Sequence, residues 1–444
     1  MLNHMIKLKY ILIIAAWFII EQTEAQTLLS KSEIIKIILE SSFDVKVAEN
    51  AVETAKNNTS IFNSGYLPTL NATAGINYNK DNIAVEFQDG SERSLDGAKS
   101  DSKNAGISLN YVLFDGFNRK YNISRNQENL NRSQLNARAV LENTLLQAFT
   151  AYYEVARLEQ NLESLIETLS ISKERLVRAQ YGFDYGRNTK LDVSNAEVDV
   201  NTDSINYLNA RQNFSNAKRN LNYILGRNVA PIDYSVDTTL TISVIDDKDA
   251  FENQLLTQNV QYLIAQSDVS LRQFDTQITS TNYLPTLSLN GGYNYRKGNN
   301  NSASFTASNS SNGLTGGLTF GWNIFDGGLT KTAIQNAKIN ESTQETLLLQ
   351  IQNQLQLNFE NAWGDFRNKQ FIVQAQENNL STNQLNFERT EEQYRLGQVS
   401  SIEFRTSQTN LLIAQTSLIQ AKYEAKLAEL TLFQLAGKLQ EANF

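Results

Sequence analysis

The sequence has no cysteine, and its only histidine, His4, and both methionines lie within the first five residues. A chain without cysteine can form no disulfide and offers no thiol nucleophile. Beyond those first residues it has no imidazole for acid–base chemistry and no His or Cys ligands for a metal. A Gly-rich phosphate loop is also missing, and carboxylates cluster only on predicted helix faces. The sequence therefore argues against an enzyme, and we expect neither a cofactor nor a metal site.

Basic charge is scarce as well, since 39 Lys and Arg residues stand against 47 Asp and Glu residues and the net charge is -8. No cluster of basic residues is present, which argues against binding to nucleic acid. Only three prolines occur, so long helices can continue without interruption. Beyond the N-terminal segment, no run approaches the ~18 consecutive apolar residues that a transmembrane helix requires.

Residues 1–25 are expected to be a signal peptide that is removed during export. Lys7 and Lys9 form a basic start, Tyr10–Ile20 is an apolar run too short to span a bilayer, and Ala25 is a small residue suited to cleavage. An uncleaved N-terminal membrane anchor is the alternative. Because no cysteine follows, a lipid-anchored N-terminus is not expected.

Motifs of the first half return in the second half. Tyr66–Leu70 reads Tyr-Leu-Pro-Thr-Leu and returns as Tyr283–Leu287, while Leu113–Gly116 has its counterpart in Ile324–Gly327. The offset is about 211 positions, which indicates an internal duplication. Each copy contains a helix, two alternating segments and a long helical hairpin. The expected divisions are a signal peptide at 1–25, a first repeat at 26–226, a linker at 227–248 and a second repeat at 249–444.

Two pairs of segments alternate apolar with small polar side chains, which is typical of strands with two different faces. Each pair follows a proline, Pro68 or Pro285, that marks a switch from helix to strand. Strands of roughly ten residues with one apolar face match a membrane-spanning barrel, and a soluble sandwich is the alternative. The Ser/Asn/Asp/Gly-rich stretches 81–103 and 298–312 are predicted to be solvated loops. The apolar positions are Leu70, Ala72, Ala74, Ile76, Tyr78, Ile107, Leu109, Tyr111, Leu113, Leu287, Leu289, Tyr293, Tyr295, Leu318, Phe320, Trp322 and Ile324.

Much of the remaining sequence has the three-and-four spacing of apolar residues by which helices pack together. The aspartates of Asp115-Gly116 and Asp326-Gly327 are expected to cap helix N-termini after a tight glycine turn, rather than to act in catalysis or bind a metal. The linker contains a β-type run at 239–244. An ordinary soluble coiled coil is the alternative for the long helices. The predicted helices cover about 30–63, 119–181, 189–225, 249–281, 330–394 and 402–435.

Four strands per chain constrain the assembly. A closed barrel needs about eight strands at minimum, and an open edge inside lipid leaves backbone groups without hydrogen bonds. Two chains would supply about eight strands and three about twelve. We therefore expect an oligomer in which each chain contributes part of one barrel and part of one helical tube.

The duplicated Tyr-Leu-Pro-Thr-Leu and Phe-Asp-Gly motifs, together with Tyr394–Val399, resemble the TolC-type outer-membrane efflux proteins. The resemblance covers about Leu28 to Leu439. It implies an α+β membrane protein that forms a homotrimer, with a shared twelve-stranded transmembrane barrel and a long periplasmic α-helical barrel. It places the protein in the outer membrane with both termini in the periplasm. The implied partners are a periplasmic adaptor, or membrane fusion protein, and a proton-driven or ATP-driven inner-membrane pump.

The same resemblance implies site residues at the ends of the hairpins. An acidic residue six positions after the tip glycine lines the periplasmic entrance in the family, and here that residue is Glu403, with Asp192 as its repeat mate. Thr406 stands where some members carry a second acidic residue, and Tyr394 is a further candidate at the entrance. Glu403 could instead serve only the helix N-terminus. The tips expected to dock the adaptor, with plain helix-turn-helix loops as the alternative, are Tyr185, Gly186, Arg187, Leu396, Gly397 and Gln398.

The sequence is therefore compatible with two hypotheses for the function. The first is an exit duct of a tripartite efflux or type I secretion system, which conducts substrates passively to the exterior. The alternative is a periplasmic coiled-coil adaptor or scaffold of a transport assembly. The duplicated hairpins and the four strands with an apolar face favour the duct.

Overall fold

A computed structural model of the protein describes residues 27–230, 234–243, 245 and 247–439. The predicted signal peptide at 1–25 lies outside the described residues. The helices are α1 (Lys31–Ser41), α2 (Phe43–Asn58), α3 (Asn118–Asp184), α4 (Lys190–Ile224), α5 (Lys248–Gln258), α6 (Val260–Ser280), α7 (Leu329–Arg395) and α8 (Ser401–Leu435). The strands are β1 (Thr27–Leu29), β2 (Thr69–Glu86), β3 (Glu92–Phe114), β4 (Tyr234–Val236), β5 (Thr286–Asn299) and β6 (Ser308–Gly321).

The chain divides into two compact units. The helical unit comprises the described parts of 1–49, 137–262 and 352–444, and the sheet unit comprises 50–136 and 263–351. Two helical hairpins, α3–α4 and α7–α8, belong largely to the helical unit. α3 and α7 each contain 67 residues, so at about 1.5 Å per residue each is about 100 Å long.

The core of the helical unit forms where a small parallel sheet of β1 and β4 packs against α3. Tyr152 of α3 is fully buried, and its hydroxyl donates to the Leu29 carbonyl at 3.2 Å and accepts the Asp237 N–H at 2.8 Å. Burial raises the pKa of Tyr152 to about 12, so the hydroxyl keeps its proton. The β-type run predicted at 239–244 is not a strand in its described part; the strand lies at Tyr234–Val236 because this stretch reaches β1.

The helices predicted at 30–63 and 249–281 are each broken in two. Ser42 ends α1 with an extended backbone and Asn259 does the same after α5. The end of another helix occupies each break: a Cβ on Gly226 would lie 2.4 Å from the Ser41 carbonyl oxygen, and one on Gly437 would lie 2.5 Å from that of Gln258. The sequence prediction missed both breaks because they arise from this tertiary contact and not from local sequence.

The sheet unit contains an antiparallel sheet in the order β2-β3-β5-β6. Pro68 and Pro285 immediately precede β2 and β5, at the ends of the helical segments. The loops predicted at 81–103 and 298–312 are mostly strand, because β2 and β3 continue to a turn at 87–91 and β5 and β6 to a turn at 300–307. Polar side chains did not prevent pairing there, since a sheet that is wet on one or both faces accepts them.

β6 ends earlier than its alternation predicted. Its last residue is Gly321, so Trp322 and Ile324 lie beyond the strand. The Trp322 indole N–H donates to the Tyr283 carbonyl at 3.1 Å, which holds this segment against the start of β5. The apolar residues at 322–325 therefore belong to the strand–helix turn.

Gly226→Ala and Gly364→Ala form a matched pair of substitutions. Gly226 has a φ of 68° and no room for a Cβ, so we expect Gly226→Ala to destabilise the helical unit by about 2 kcal/mol or more. Gly364 lies within α7, where a Cβ meets nothing within 4 Å, so Gly364→Ala should stabilise by about 0.5–1 kcal/mol. Thermal unfolding and hydrogen exchange near Ser42 measure both. Equal effects of the two variants would show that the break does not depend on Gly226.

Candidate functional site: one sheet face and two hairpin tips

The strand register places apolar side chains of all four strands on one face of the sheet. Leu70 pairs with Leu109, Ala72 with Ile107, and the opposite face carries the polar residues between them. We call the first the apolar face and the second the polar face. The apolar face carries Leu70, Ala72, Ala74, Ile76, Ile107, Leu109, Tyr111, Leu287, Leu289, Tyr293, Tyr295, Leu314, Leu318 and Phe320. The polar face carries Asn71, Thr73, Asn77, Asn104, Ser108, Ser288, Asn290, Asn294, Thr315 and Thr319.

The apolar face is uncovered in the described chain. Leu70, Leu314 and Leu318 expose 70%, 84% and 65% of their surface, which a soluble sandwich would bury in its core. Five successive cross-strand rows extend about 26 Å along the strands, and strands tilted by about 40° would then cross most of the ~25 Å apolar band of outer-membrane barrels. Among the described residues, no helix has both the length and the hydropathy to cross a bilayer.

The two strand–helix turns hold their aspartates as acceptors for helix N–H groups. The Asp115 carboxylate accepts the backbone N–H of Arg119 at 2.9 Å and forms a salt bridge with its side chain. The Asp326 carboxylate accepts the N–H groups of Gly328 and Thr330 at 2.9 and 2.8 Å. Gly116 and Gly327, which follow these aspartates, both have positive φ. Among the described residues no group of acidic side chains could hold a metal ion.

The hairpin tips are tight turns with exposed apolar side chains. Gly186 and Gly397 have φ of 71° and 75°, and a Cβ on either would meet nothing within 4 Å. The preceding residues, Tyr185 and Leu396, are 81% and 63% exposed. A backbone hydrogen bond closes each turn. The Arg187 N–H donates to the Gly182 carbonyl at 2.7 Å, and the Gln398 N–H donates to the Gln393 carbonyl at 2.8 Å. Both tips are therefore closed by backbone hydrogen bonds and open to solvent.

The two acidic entrance candidates sit in capping boxes. Glu403 accepts the backbone N–H of Ser400 at 2.8 Å while the Ser400 hydroxyl accepts the Glu403 N–H at 3.2 Å, and Asp192 and Thr189 repeat the arrangement. These hydrogen bonds lower the pKa of both carboxyl groups; Glu403 is exposed and Asp192 is partly exposed. Each therefore serves its helix N-terminus and still carries a full negative charge into solvent near neutral pH.

The other two entrance candidates occupy different places. Thr406 and Asp192 line one groove between α4 and α8, together with Asp199 and Arg405. Tyr394 is not part of this groove: its ring stacks on Phe404 at 4.6 Å between centroids. The structure thus brings Asp192 and Thr406 together, and leaves Glu403 and Tyr394 outside the groove.

A buried ionic network that the sequence did not indicate lies beside this groove. Arg405 of α8 donates two hydrogen bonds of 2.7 Å to the Asp203 carboxylate of α4. Ser172 of α3 donates to the same carboxylate at 2.6 Å, and Asp199 forms salt bridges with both Arg405 and Arg175. Because Asp203 is almost fully buried, the network joins α8 to both helices of the first hairpin through a desolvated carboxylate.

Comparisons with known proteins agree on one family. A family model described as "Outer membrane efflux protein" matches residues 34–227 and 253–438, most of the chain. The chain belongs to the outer membrane efflux protein family. The resemblance to the TolC-type proteins is thereby confirmed, and the chain is a channel-family member and not an enzyme.

Relatives of this efflux protein carry matching names. The outer membrane efflux protein BepC of Brucella suis is 23% identical over 337 residues, which cover 75% of this chain and 72% of BepC. The outer membrane protein TolC of Vibrio cholerae is 22% identical over 388 residues, 86% of this chain and 84% of TolC. The probable outer membrane lipoprotein SilC of Salmonella typhimurium is 22% identical over 426 residues, 91% of this chain and 85% of SilC.

Solved structures share the fold. The CmeC outer membrane channel of Campylobacter jejuni superposes with a TM-score of 0.75 at 16% identity, over 93% of this chain and 87% of CmeC. The outer membrane protein VceC of Vibrio cholerae gives 0.72 at 15% identity, over 92% and 96%. The fold of this efflux protein is therefore that of outer-membrane channels.

The Arg405 network is not matched at the offset of the predicted internal duplication. At the offset of about 211 positions, Arg405 corresponds to Ser194, Asp199 to Asn410 and Asp203 to Ala414. The sequence offered one signal for this network: charged residues in one half correspond to uncharged residues in the other half. This signal does not predict that Arg405 pairs with Asp203, because the two residues are 202 positions apart in the sequence.

Removal of Arg405 should loosen α8 from the first hairpin. Arg405→Met leaves the Asp203 carboxylate buried without its main counter-charge, so we expect a loss of about 3–5 kcal/mol. Asp203→Asn in the same chain should recover part of that loss. Arg395→Met removes an exposed pair with Glu391 and should cost no more than about 0.5 kcal/mol.

Thermal unfolding and hydrogen exchange in the first turns of α8 measure this series. A loss for Arg405→Met no larger than that for Arg395→Met would contradict the role assigned to the network.

Proposed function

We propose that this protein is the outer-membrane exit duct of a tripartite efflux or type I secretion system, conducting substrates passively from the periplasm to the exterior. The observation that carries the proposal is the uniform apolar face of a sheet whose edge strands, β2 and β6, have no further partner in the described chain. Backbone groups on such edges cannot remain unpaired in lipid. Several copies must therefore complete one closed sheet.

Three copies would close a barrel of about twelve strands, with the apolar face toward lipid and the polar face toward a wet lumen. β6 runs antiparallel to β5 and β2 antiparallel to β3, so β6 of one copy and β2 of the next meet antiparallel. Membership of the outer membrane efflux protein family supports an assembly of three copies. In this assembly the internal duplication supplies two hairpins per chain, and the helical hairpins and both termini lie in the periplasm.

The hairpin ends would form the periplasmic entrance. Glu403 and Asp192 stay ionised while they cap their helices, and three copies of each would surround one axis. Converging carboxylates at a narrow neck attract cations and repel anions. Thr406 lies in the neighbouring groove, while Tyr394 supports the tip from within through its stack on Phe404.

The tips would dock a periplasmic adaptor that leads to an inner-membrane pump, either proton-driven or ATP-driven. Exposed apolar side chains on turns closed by backbone hydrogen bonds are suited to such contacts, because a preorganised surface loses little entropy on binding. Tyr185 and Leu396 supply these side chains in the two hairpins. No cargo is specified by the polar face, whose Asn, Ser and Thr side chains favour any hydrated solute.

The membrane placement is tested by two neighbouring residues on β2. Leu70 lies in the central row of the apolar face and Asn71 on the polar face. Leu70→Arg should weaken assembly in the outer membrane by about 2–4 kcal/mol, whereas Asn71→Arg should assemble normally and change conductance in planar bilayers. Heat-modifiable migration of the extracted protein measures assembly. Equal tolerance of Arg at both positions would contradict the proposed barrel.

Adaptor docking is tested at the tip glycines. Asn tolerates positive φ, so Gly186→Asn with Gly397→Asn keeps each turn while placing a side chain in open space at the docking surface. We expect loss of export in cells that contain the cognate adaptor and pump, with normal assembly in the membrane. Gly327→Asn is the control, because its φ of 70° and open surroundings match but it lies in the sheet unit. Export that survives the double substitution would remove the tips as the docking surface.

A further inference from the structure

The apolar face becomes basic toward the turns at 87–91 and 300–307 that join its strands. Lys103 of β3 lies directly opposite Lys297 of β5, and Lys99 of β3 lies directly opposite Lys80 of β2. All four lysines are exposed and share the apolar face, since Lys103 also pairs with Ile76. We call these four residues the lysine cluster.

The lysine cluster is not neutralised by the protein. Like charges directly opposite each other on a sheet are destabilising, and the cluster contains two such pairs. Within the regular ladder of this face the acidic residue is Asp101, which lies in the row between the two lysine pairs. Its carboxylate is hydrogen-bonded by the Asn299 amide at 3.0 and 3.2 Å, and the pair Glu86–Glu92 lies beyond the register shift. None of the four lysines forms a salt bridge within the part of the chain that the structure describes. The cluster therefore has a net positive charge that is available to an external anion.

The position of the cluster specifies the kind of anion. Tyr293 and Tyr295 lie in the two rows just below Lys297 on the same face, which is the usual place of aromatic side chains at a membrane interface. The apolar band continues below them. Just beyond Lys80 the register shifts between Asp81 and Ile83, so the regular ladder of this face ends with the cluster. An anion bound here would sit at headgroup level with its apolar part free to lie along the band.

We propose that the lysine cluster binds the phosphate groups of lipids in the outer leaflet, with the acyl chains of those lipids packed along the apolar face. Lysine binds phosphate as a mobile point charge, and about four such charges suit a multiply phosphorylated headgroup. The lipid relieves the repulsion within both lysine pairs. Bound lipid would thereby fix the outer end of the sheet in the headgroup layer. The inference rests on the membrane placement proposed above.

The test uses the assembled, detergent-extracted protein and purified lipid A, with its phosphates intact or enzymatically removed. Bound lipid is measured by native mass spectrometry during titration. The quadruple variant Lys80→Gln, Lys99→Gln, Lys103→Gln and Lys297→Gln should bind phosphorylated lipid A at least about tenfold more weakly than the parent. The parent should show the same preference for phosphorylated over dephosphorylated lipid A.

Two further variants separate local charge from total charge. Lys46→Gln, Lys120→Gln, Lys173→Gln and Lys338→Gln change net charge equally at exposed lysines outside the sheet, and should bind like the parent. Arginine at the four cluster positions should also bind like the parent, because it keeps the charge and the affinity for phosphate. Conductance of the quadruple glutamine variant should equal that of the parent, since the polar face is untouched.

The outcomes are distinct. Equal binding by the cluster variant and its charge-matched control would overturn the inference and leave the proposed duct intact. Equal binding of lipid A with and without phosphates, or displacement of lipid by inorganic phosphate at matching concentrations, would do the same. Failure of the parent itself to insert into bilayers would overturn the membrane placement together with the inference.

Discussion

The hydrogen-bonding demand of two open strand edges governs this structure. β2 and β6 each pair on one side only in the described chain, while the same sheet presents an uncovered apolar face. Exposure of the apolar face is unfavourable in water, and exposure of the unpaired strand edges is unfavourable in lipid. A single copy of the sheet is therefore unstable in both environments. The proposed closure with other copies would satisfy both demands at once. In such a closed sheet, the alternation of apolar and polar residues along each strand would place one face toward lipid and the other toward water.

The helical unit combines apolar clusters with specific contacts that fix the ends of its helices. Glycines with positive φ bring helix ends against the breaks at Ser42 and Asn259, and Tyr152 ties β1 to the segment after β4. Capping boxes start α4 and α8 at defined residues beside each tip. The Arg405 network then fixes α8 to the first hairpin. The capping boxes and the Arg405 network lie beside the tips, which is where we propose that partners and substrates meet the protein.

Much of this organisation follows from the sequence, and the failures share a cause. Period-two alternation located the strands because it reflects a property of each segment alone. The Ser- and Asn-rich continuations of β2 and β3 were predicted as loops because composition says little about cross-strand pairing. The sequence around Ser42 is compatible with a continuous helix, and only the contact with Gly226 explains the break. Asp203 has the sequence pattern of a solvated helix residue, and only its pairing with Arg405 explains its burial. Local patterns were predictable, whereas contacts over long sequence separations were not.

In the proposed assembly the open edges of this sheet close against other copies of the same chain. Because the chain contains no cysteine, Asn71→Cys on β2 and Thr319→Cys on β6 would introduce the only thiols. Both positions lie on the polar face, so a short bismaleimide added to isolated outer membranes should join β6 of one copy to β2 of the next. We predict covalent dimers and trimers on denaturing gels from the double variant, and only monomers from either single variant. Exclusively monomeric protein from the double variant, under conditions in which both thiols are modified, would contradict the account.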